Sequence, residues 1–217
     1  MTPPRLDGLV LAAGASRRFG SPKQLALIDG VPMLQRVIET LREALRLEGY
    51  YQDDSATIRL NKPPMTIVLG AHAEAVLEGV IEQLAPPHPA VLVCPDWEHG
   101  MAHSLRFGLA ALEAVGPDAP NAALVLLADA PYITTDDLRR LIDAWQVSPD
   151  VPAAAQYAET VGAPCVLPRA VWPELETLEG DRGAGAWLKT RLAANSPLTL
   201  VAMPRAAHDV DRPLFMD

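Results

Sequence analysis

The sequence predicts an α/β protein in three layers, a doubly wound and mostly parallel sheet with helices on both faces. Three observations carry that expectation. Four short apolar runs, 6–13, 65–70, 90–94 and 122–129, lack the alternation of a half-exposed strand and read as strands buried on both faces. A helical pattern follows each run, as parallel crossovers require. The 217 residues, 49% hydrophobic and 21% charged, have ordinary globular composition and suffice for a sizeable core, so one domain is expected over residues 1–217.

The elements follow in order. "LDGLVLAA" (6–13) is the first strand, and "PMLQRVIETLREALRL" (32–47) an amphipathic helix with apolar residues at 34, 37, 38, 41 and 45. "EGYYQDDSATIRLNKPP" (48–64) is polar and ends in two prolines, which predicts a surface loop. "MTIVLG" (65–70) is a strand, "HAEAVLEGVIEQL" (72–84) a helix, and "APPHP" (85–89) a linker. "AVLVC" (90–94) and "HSLRFGLAALEAV" (103–115) repeat the strand–helix unit. So do "AALVLLAD" (122–129) and "TTDDLRRLIDAWQ" (134–146), where Thr134 or Thr135 can cap the helix. The pattern then changes. "PAAAQYAETVGAPCVLP" (152–168) reads as two strands joined by a turn, before a helix over 181–195 and a late strand over 198–203. No internal repeat is visible.

A formal net charge of −9 argues against a nucleic-acid partner, since phosphate neutralisation needs a basic face. It leaves room for an anionic small molecule held by a local cluster of cations. Cys94 and Cys165, 71 positions apart, form neither a disulfide framework nor a zinc motif. The start "MTPPRLDG" lacks the apolar stretch of a signal peptide, and no apolar run is long enough to cross a bilayer. These features predict a cytoplasmic protein with no membrane partner.

Ligands of doubly wound sheets sit outside the carboxyl ends of the strands, so the segments there are the functional candidates. The first is "AAGASRRFGSPK", with Gly14 and Gly20 for tight turning and three cations, Arg17, Arg18 and Lys23, within seven residues. Such a loop can cradle a polyphosphate. Five residues separate its glycines and Lys23 comes three later, which is not P-loop spacing. Gly14-Ala15-Ser16 also breaks GxGxxG, which disfavours a dinucleotide-dependent dehydrogenase. Asp129, at the tip of the fourth strand, either caps the next helix or holds Mg²⁺. Asp209 and Asp211 in "HDVDRP" point the same way if that segment is extended, and otherwise belong to a solvated acidic tail. Ser104 and Arg106 open a helix where a hydroxyl and free amides can read a base or ribose. Gly108 within that helix signals close packing or ligand approach, while His72 and His103 receive no catalytic role.

"LAAGASRRFGSPKQL" (11–25) resembles the signature loop of the MobA-like NTP transferases. Its Ala12-Ala13-Gly14 resembles the MocA-type branch, the molybdenum cofactor cytidylyltransferases, more than the guanylyltransferase branch with Ala-Gly-Gly. The resemblance implies a nucleotide-diphospho-sugar transferase-like, Rossmann-like fold that binds an NTP and transfers its NMP part. It implies that Leu11, Ala12, Ala13, Gly14 and Ser16 approach base and phosphates, with Gly70, Ser104 and Arg106 completing the nucleotide side. Arg18 and Lys23 would hold phosphates and stabilise charge during transfer, and Arg17 falls on a variable position. "LLADAP" resembles the family's D-x-P element, making Asp129 catalytic and a Mg²⁺ ligand. "HDVDRP" resembles the family's ending, with Asp211 the second ligand and Asp209 the alternative.

"GAPCVLP" and "GDRGAGAWL" resemble acceptor-side segments, which implicates Gly162, Pro164, Gly180 and Asp181. Ala163 and Gly185 replace the histidine and arginine usual there. The resemblance spans residues 6–214, with the N-terminal half binding NTP and residues 150–200 facing the acceptor. It implies transfer of CMP from CTP to molybdopterin cofactor with release of pyrophosphate, and a molybdoenzyme as recipient of the product. The alternatives are a GTP donor, a sugar-phosphate acceptor, or a non-catalytic accessory protein that binds the cofactor.

Overall fold

Strand β1 (Leu6–Ala12) is apolar along its length because both its faces are covered. Leu6, Val10 and Ala12 enter one core, and Leu9 and Leu11 the other. The computed structural model describes residues 4–17, 19–50 and 64–210. After the first loop come a two-residue ladder, β2 (Leu27–Ile28) with β3 (Val31–Pro32), and helix α1 (Met33–Leu47). The 48–64 loop lies mostly outside the described residues; its entry is tied down by an Arg139–Glu48 ion pair at 2.7 Å and a Gln146–Tyr50 hydrogen bond at 2.9 Å.

Next come β4 (Met65–Leu69), α2 (Ala73–Gly79), β5 (Ala90–Val93), α3 (Met101–Glu113), β6 (Ala122–Leu127) and α4 (Thr135–Gln146). The helix expected over 72–84 is broken at Val80 (φ −130°, ψ −59°), and a single 3-10 turn, Ile81–Gln83, completes it. Gly79, a weak helix former, precedes the break. Thr134, not Thr135, caps α4, in a capping box with Asp137. The hairpin β7 (Ala153–Tyr157) and β8 (Thr160–Pro168) turns through Ala158 and Glu159, both at positive φ. The short helix α5 (Trp172–Leu175), then α6 (Ala184–Ala193) and β9 (Thr199–Ala202) complete the described elements.

The seven strands lie in the order β5-β4-β1-β6-β8-β7-β9, with β8 antiparallel to both neighbours and every other pairing parallel. Val10 stands opposite Ile67 on one side and Leu126 on the other. Helices α1, α2 and α4 cover one face, where Leu34, Ile38 and Leu41 meet Leu138, Leu141 and Trp145. Helices α3, α5 and α6 cover the other through Leu105, Leu109, Trp172 and Leu188. Gly108 serves close packing: a Cβ there would stand 2.7 Å from Leu9 Cδ1 and 3.0 Å from Val68 Cγ2. No described helix is long and apolar enough to cross a membrane.

Candidate active site

From β1 the chain moves outward to β4 and β5, then returns to β6 on the opposite side of β1. Loops leaving β1 and β6 therefore part in opposite directions and open a crevice, the switch point where sheets of this kind bind ligands. A cavity of about 420 Å³ occupies it. Leu11 to Arg17, Phe19, Lys23 and Gln24 line one part, Leu127–Asp129 the β6 end, and Trp97, Met101, Ser104 and Asp181 the far wall.

The first loop is shaped by a residue that sequence reasoning missed. Gln24 is 1% exposed, and its Nε2 donates to Ala12 O at 2.8 Å and Gly14 O at 3.1 Å. Ser16 Oγ donates to Gln24 Oε1 at 3.3 Å and accepts the Lys23 N–H at 3.1 Å. A polar side chain directly after the loop lysine was the only available signal. Buried carbonyls need donors, and Gln24 supplies two.

Lys23 Nζ pairs with Asp129 Oδ2 at 2.5 Å, both side chains less than a fifth exposed. Asp129 Oδ1 is buried and lacks a hydrogen-bond partner among the described residues. An orphaned buried carboxylate oxygen is costly unless a ligand satisfies it, and it fits a hard divalent cation. No three carboxylate, imidazole or thiol groups among the described residues form a metal cluster. The second carboxylate expected there, Asp211, lies outside the described residues, as does Arg18. Asp209 is exposed, yet its neighbour Val210 donates its N–H to Asp129 O at 3.0 Å, so the acidic segment runs beside the β6 end. Burial, then the charges of Asp209, Cys165 and Asp129, push the Tyr157 hydroxyl above its ordinary pKa and keep it protonated.

The far wall depends on close approach. Gly100 has φ +92°, and a Cβ on it would fall 2.4 Å from the Gly180 carbonyl carbon and 2.8 Å from Asp181 Oδ1. Ala102 N–H donates to Gly180 O at 3.0 Å, so the start of α3 and the Gly180–Asp181 turn form one unit. That turn delays α6 to Ala184, three residues beyond the expected start. Gly70 does not line the cavity. A Cβ there would meet Ala13 O at 2.5 Å and Trp97 Cβ at 2.7 Å, so its role is to let the wall close behind the loop.

Other expected residues fall elsewhere. Helix α3 begins at Met101, two residues earlier than expected, and residues 104 and 106 stand about 200° apart on a helix. Ser104 therefore faces the cavity, while Arg106 turns to Glu176 O at 2.9 Å and ties α3 to the chain after α5. Gly162 and Pro164 lie on β8 beside a register shift and do not line the cavity; a Cβ on Gly162 would stand 2.6 Å from the Tyr157 hydroxyl. A Cβ on Gly185 would stand 3.8 Å from Gly162 Cα, so Ala163 and Gly185, the two departures, share one patch. Trp97, Glu98 and Met101 join the lining without having been singled out by sequence. Both cysteines are free and buried; burial raises the Cys94 thiol and pushes Cys165 up to about 12.

The family model for the MobA-like NTP transferase domain matches residues 8–196. The chain belongs to that family. This MobA-like transferase is 30% identical over 194 residues to the purine catabolism protein PucB of Bacillus subtilis, which covers 88% of the chain and 83% of PucB. It is 30% identical over 175 residues to the molybdenum cofactor guanylyltransferase of Sinorhizobium fredii, covering 80% and 68% of the two chains. Among solved structures, Rv0371c of Mycobacterium tuberculosis superimposes with a TM-score of 0.70 at 30% identity, over 94% of this chain and 90% of that one. The same protein in complex with manganese gives 0.65 at 29% identity, over 92% and 89%. The MobA-like protein is a nucleotidyltransferase with the nucleotide-diphospho-sugar transferase fold, so the non-catalytic accessory reading is set aside.

Proposed function

We propose that this enzyme moves CMP from CTP onto a phosphate of the molybdenum cofactor and releases pyrophosphate, with Mg²⁺ as its metal. The observation that carries the chemistry is Asp129 Oδ1, buried and without a hydrogen-bond partner among the described residues, beside the Lys23 ammonium at the edge of a cavity lined by the first loop. Asp129, with Asp211 or Asp209, would hold the metal. When bound, Mg²⁺ supplies charge neutralisation on the triphosphate oxygens.

The remaining work falls to the chain itself. An acceptor phosphate oxygen attacks the α-phosphorus, and the bond from that phosphorus to the bridging oxygen breaks. Two anions must meet, so positive charge at the point of encounter is the main requirement. Lys23 places an ammonium there, and the loop backbone adds amide dipoles. The nucleophile is already deprotonated and requires no strong base. The N-terminal half would hold the NTP, and residues 150–200 would face the acceptor through Asp181 on the cavity wall and the Gly180 turn that carries it, with Gly162 and Pro164 off the lining. The product would pass to a molybdoenzyme.

The Ala12-Ala13-Gly14 form supports CTP, whereas the 30% identity to a guanylyltransferase supports a second reading with GTP. Pyrophosphate release measured with CTP, GTP, ATP and UTP, Mg²⁺ and purified molybdopterin cofactor decides between them. CTP is expected to rank first; GTP in that place would change the donor. Turnover with a sugar phosphate but not with the cofactor would overturn the acceptor.

A further inference from the structure

Four consecutive carbonyls, from the last residue of β1 into the loop that follows, are each engaged. Gln24 Nε2 donates to Ala12 O and Gly14 O, at 2.8 and 3.1 Å. The Ala71 N–H donates to Ala13 O at 3.2 Å, and His72 Nε2 lies 3.0 Å from Ala15 O, where the ring must be the donor. A planar trans peptide directs its C=O and the following N–H in opposite senses. Holding these carbonyls therefore turns the N–H groups of Ala13, Gly14, Ala15 and Ser16 away from the donors. Among the described residues none of the four N–H groups donates to a backbone carbonyl, and all four residues line the cavity.

We infer that Gln24, with His72 as a second tether, is the positioning residue that aims the backbone amides of this loop at the phosphates of the substrate. Neither side chain has to touch the substrate for this. A carboxamide is suited to the task because its two N–H donors reach two alternate carbonyls at once while its oxygen receives Ser16. A carboxylate would face both carbonyls with negative charge. A methionine would leave both peptides free to rotate, and amides that must be reoriented on binding hold an anion less tightly than amides already in place.

The inference rests on the reading that this loop holds the triphosphate, and inorganic pyrophosphate tests it without involving the base. Calorimetric titration of pyrophosphate into Gln24→Met at fixed Mg²⁺ is expected to show affinity weakened on the order of tenfold. The KM for the nucleotide should rise by a similar factor, with kcat changed by less than about threefold. A purely structural role would lower the melting temperature and leave pyrophosphate affinity and KM of the folded protein at wild-type values; that result would overturn the inference. If Gln24→Met does not fold, His72→Ala, which frees only the Ala15 carbonyl, must weaken pyrophosphate binding by about threefold. Unchanged affinity there would overturn it equally. A wild-type protein that bound no pyrophosphate would remove the cradle itself, an outcome distinct from variants that bind as tightly as wild type.

Discussion

Lys23 and Asp129 are 106 positions apart in the chain and 2.5 Å apart in the fold. Each charge offsets part of the cost of burying the other. Replacing either by alanine is expected to lower kcat by about 10²–10³-fold, the usual effect of removing one group that stabilises transition-state charge. Pyrophosphate release reports the rate, with circular dichroism as the control for folding; rates within threefold of wild type would refute the assignment. Gly100 tests the wall. Gly100→Ala forces a Cβ to 2.4 Å from backbone at Gly180, in a left-handed conformation, and is expected to cost about 1–3 kcal/mol in urea unfolding. A wild-type unfolding midpoint would mean that the α3 start and the Gly180 turn do not pack as described.

At the scale of elements, α4 is anchored by a carboxylate that is 1% exposed. Burial would raise the Asp137 pKa, but hydrogen bonds from the Thr134 hydroxyl and N–H and from Arg140, with the charge of Arg205, outweigh it and hold it below 3.8. Arg140 also donates to Ala202 O at 3.1 Å, so one cluster joins the start of α4 to β9 and the segment leading to Asp209. With the folded pKa below the unfolded one, the stability from Asp137 is fully present above pH about 4 and is lost as pH falls through the folded value. Asp137→Asn should therefore lower stability at pH 7 by about 1–2 kcal/mol and lose that difference under strong acid, as urea titrations at several pH values would show. A pH-independent difference would assign the loss to packing. The same scale explains Arg106: two positions after Ser104 it stands on the opposite side of α3 wherever the helix begins, so the two cannot both face the cavity.

At the scale of the whole molecule, the proposed function has a chain of net charge −9 receive an anionic substrate at a cationic loop. Binding there should stabilise the fold. Saturating nucleotide and Mg²⁺, at about 100 times Kd, adds about 2.7 kcal/mol, a rise in melting temperature of roughly 5–10 °C for a chain of this size. The shift should nearly vanish in Lys23→Ala and Asp129→Ala. A full shift in both variants would place the triphosphate elsewhere.

The amino-acid sequence alone determined the layers and the run of elements, because apolar period and helix punctuation are local and every strand of a covered parallel sheet must be apolar along its length. It also marked the loop and the strand-end aspartate by residue type and position. Tertiary structure alone decided that β8 runs antiparallel between β6 and β7, that Lys23 meets Asp129, that Gln24 holds the loop, and that Arg106 turns outward. Those facts depend on distances between segments remote in the chain and on the rotation of a helix about its axis, and no local pattern encodes either. A residue type states which bonds a side chain can form; the packing of the whole sheet selects which of them it does form.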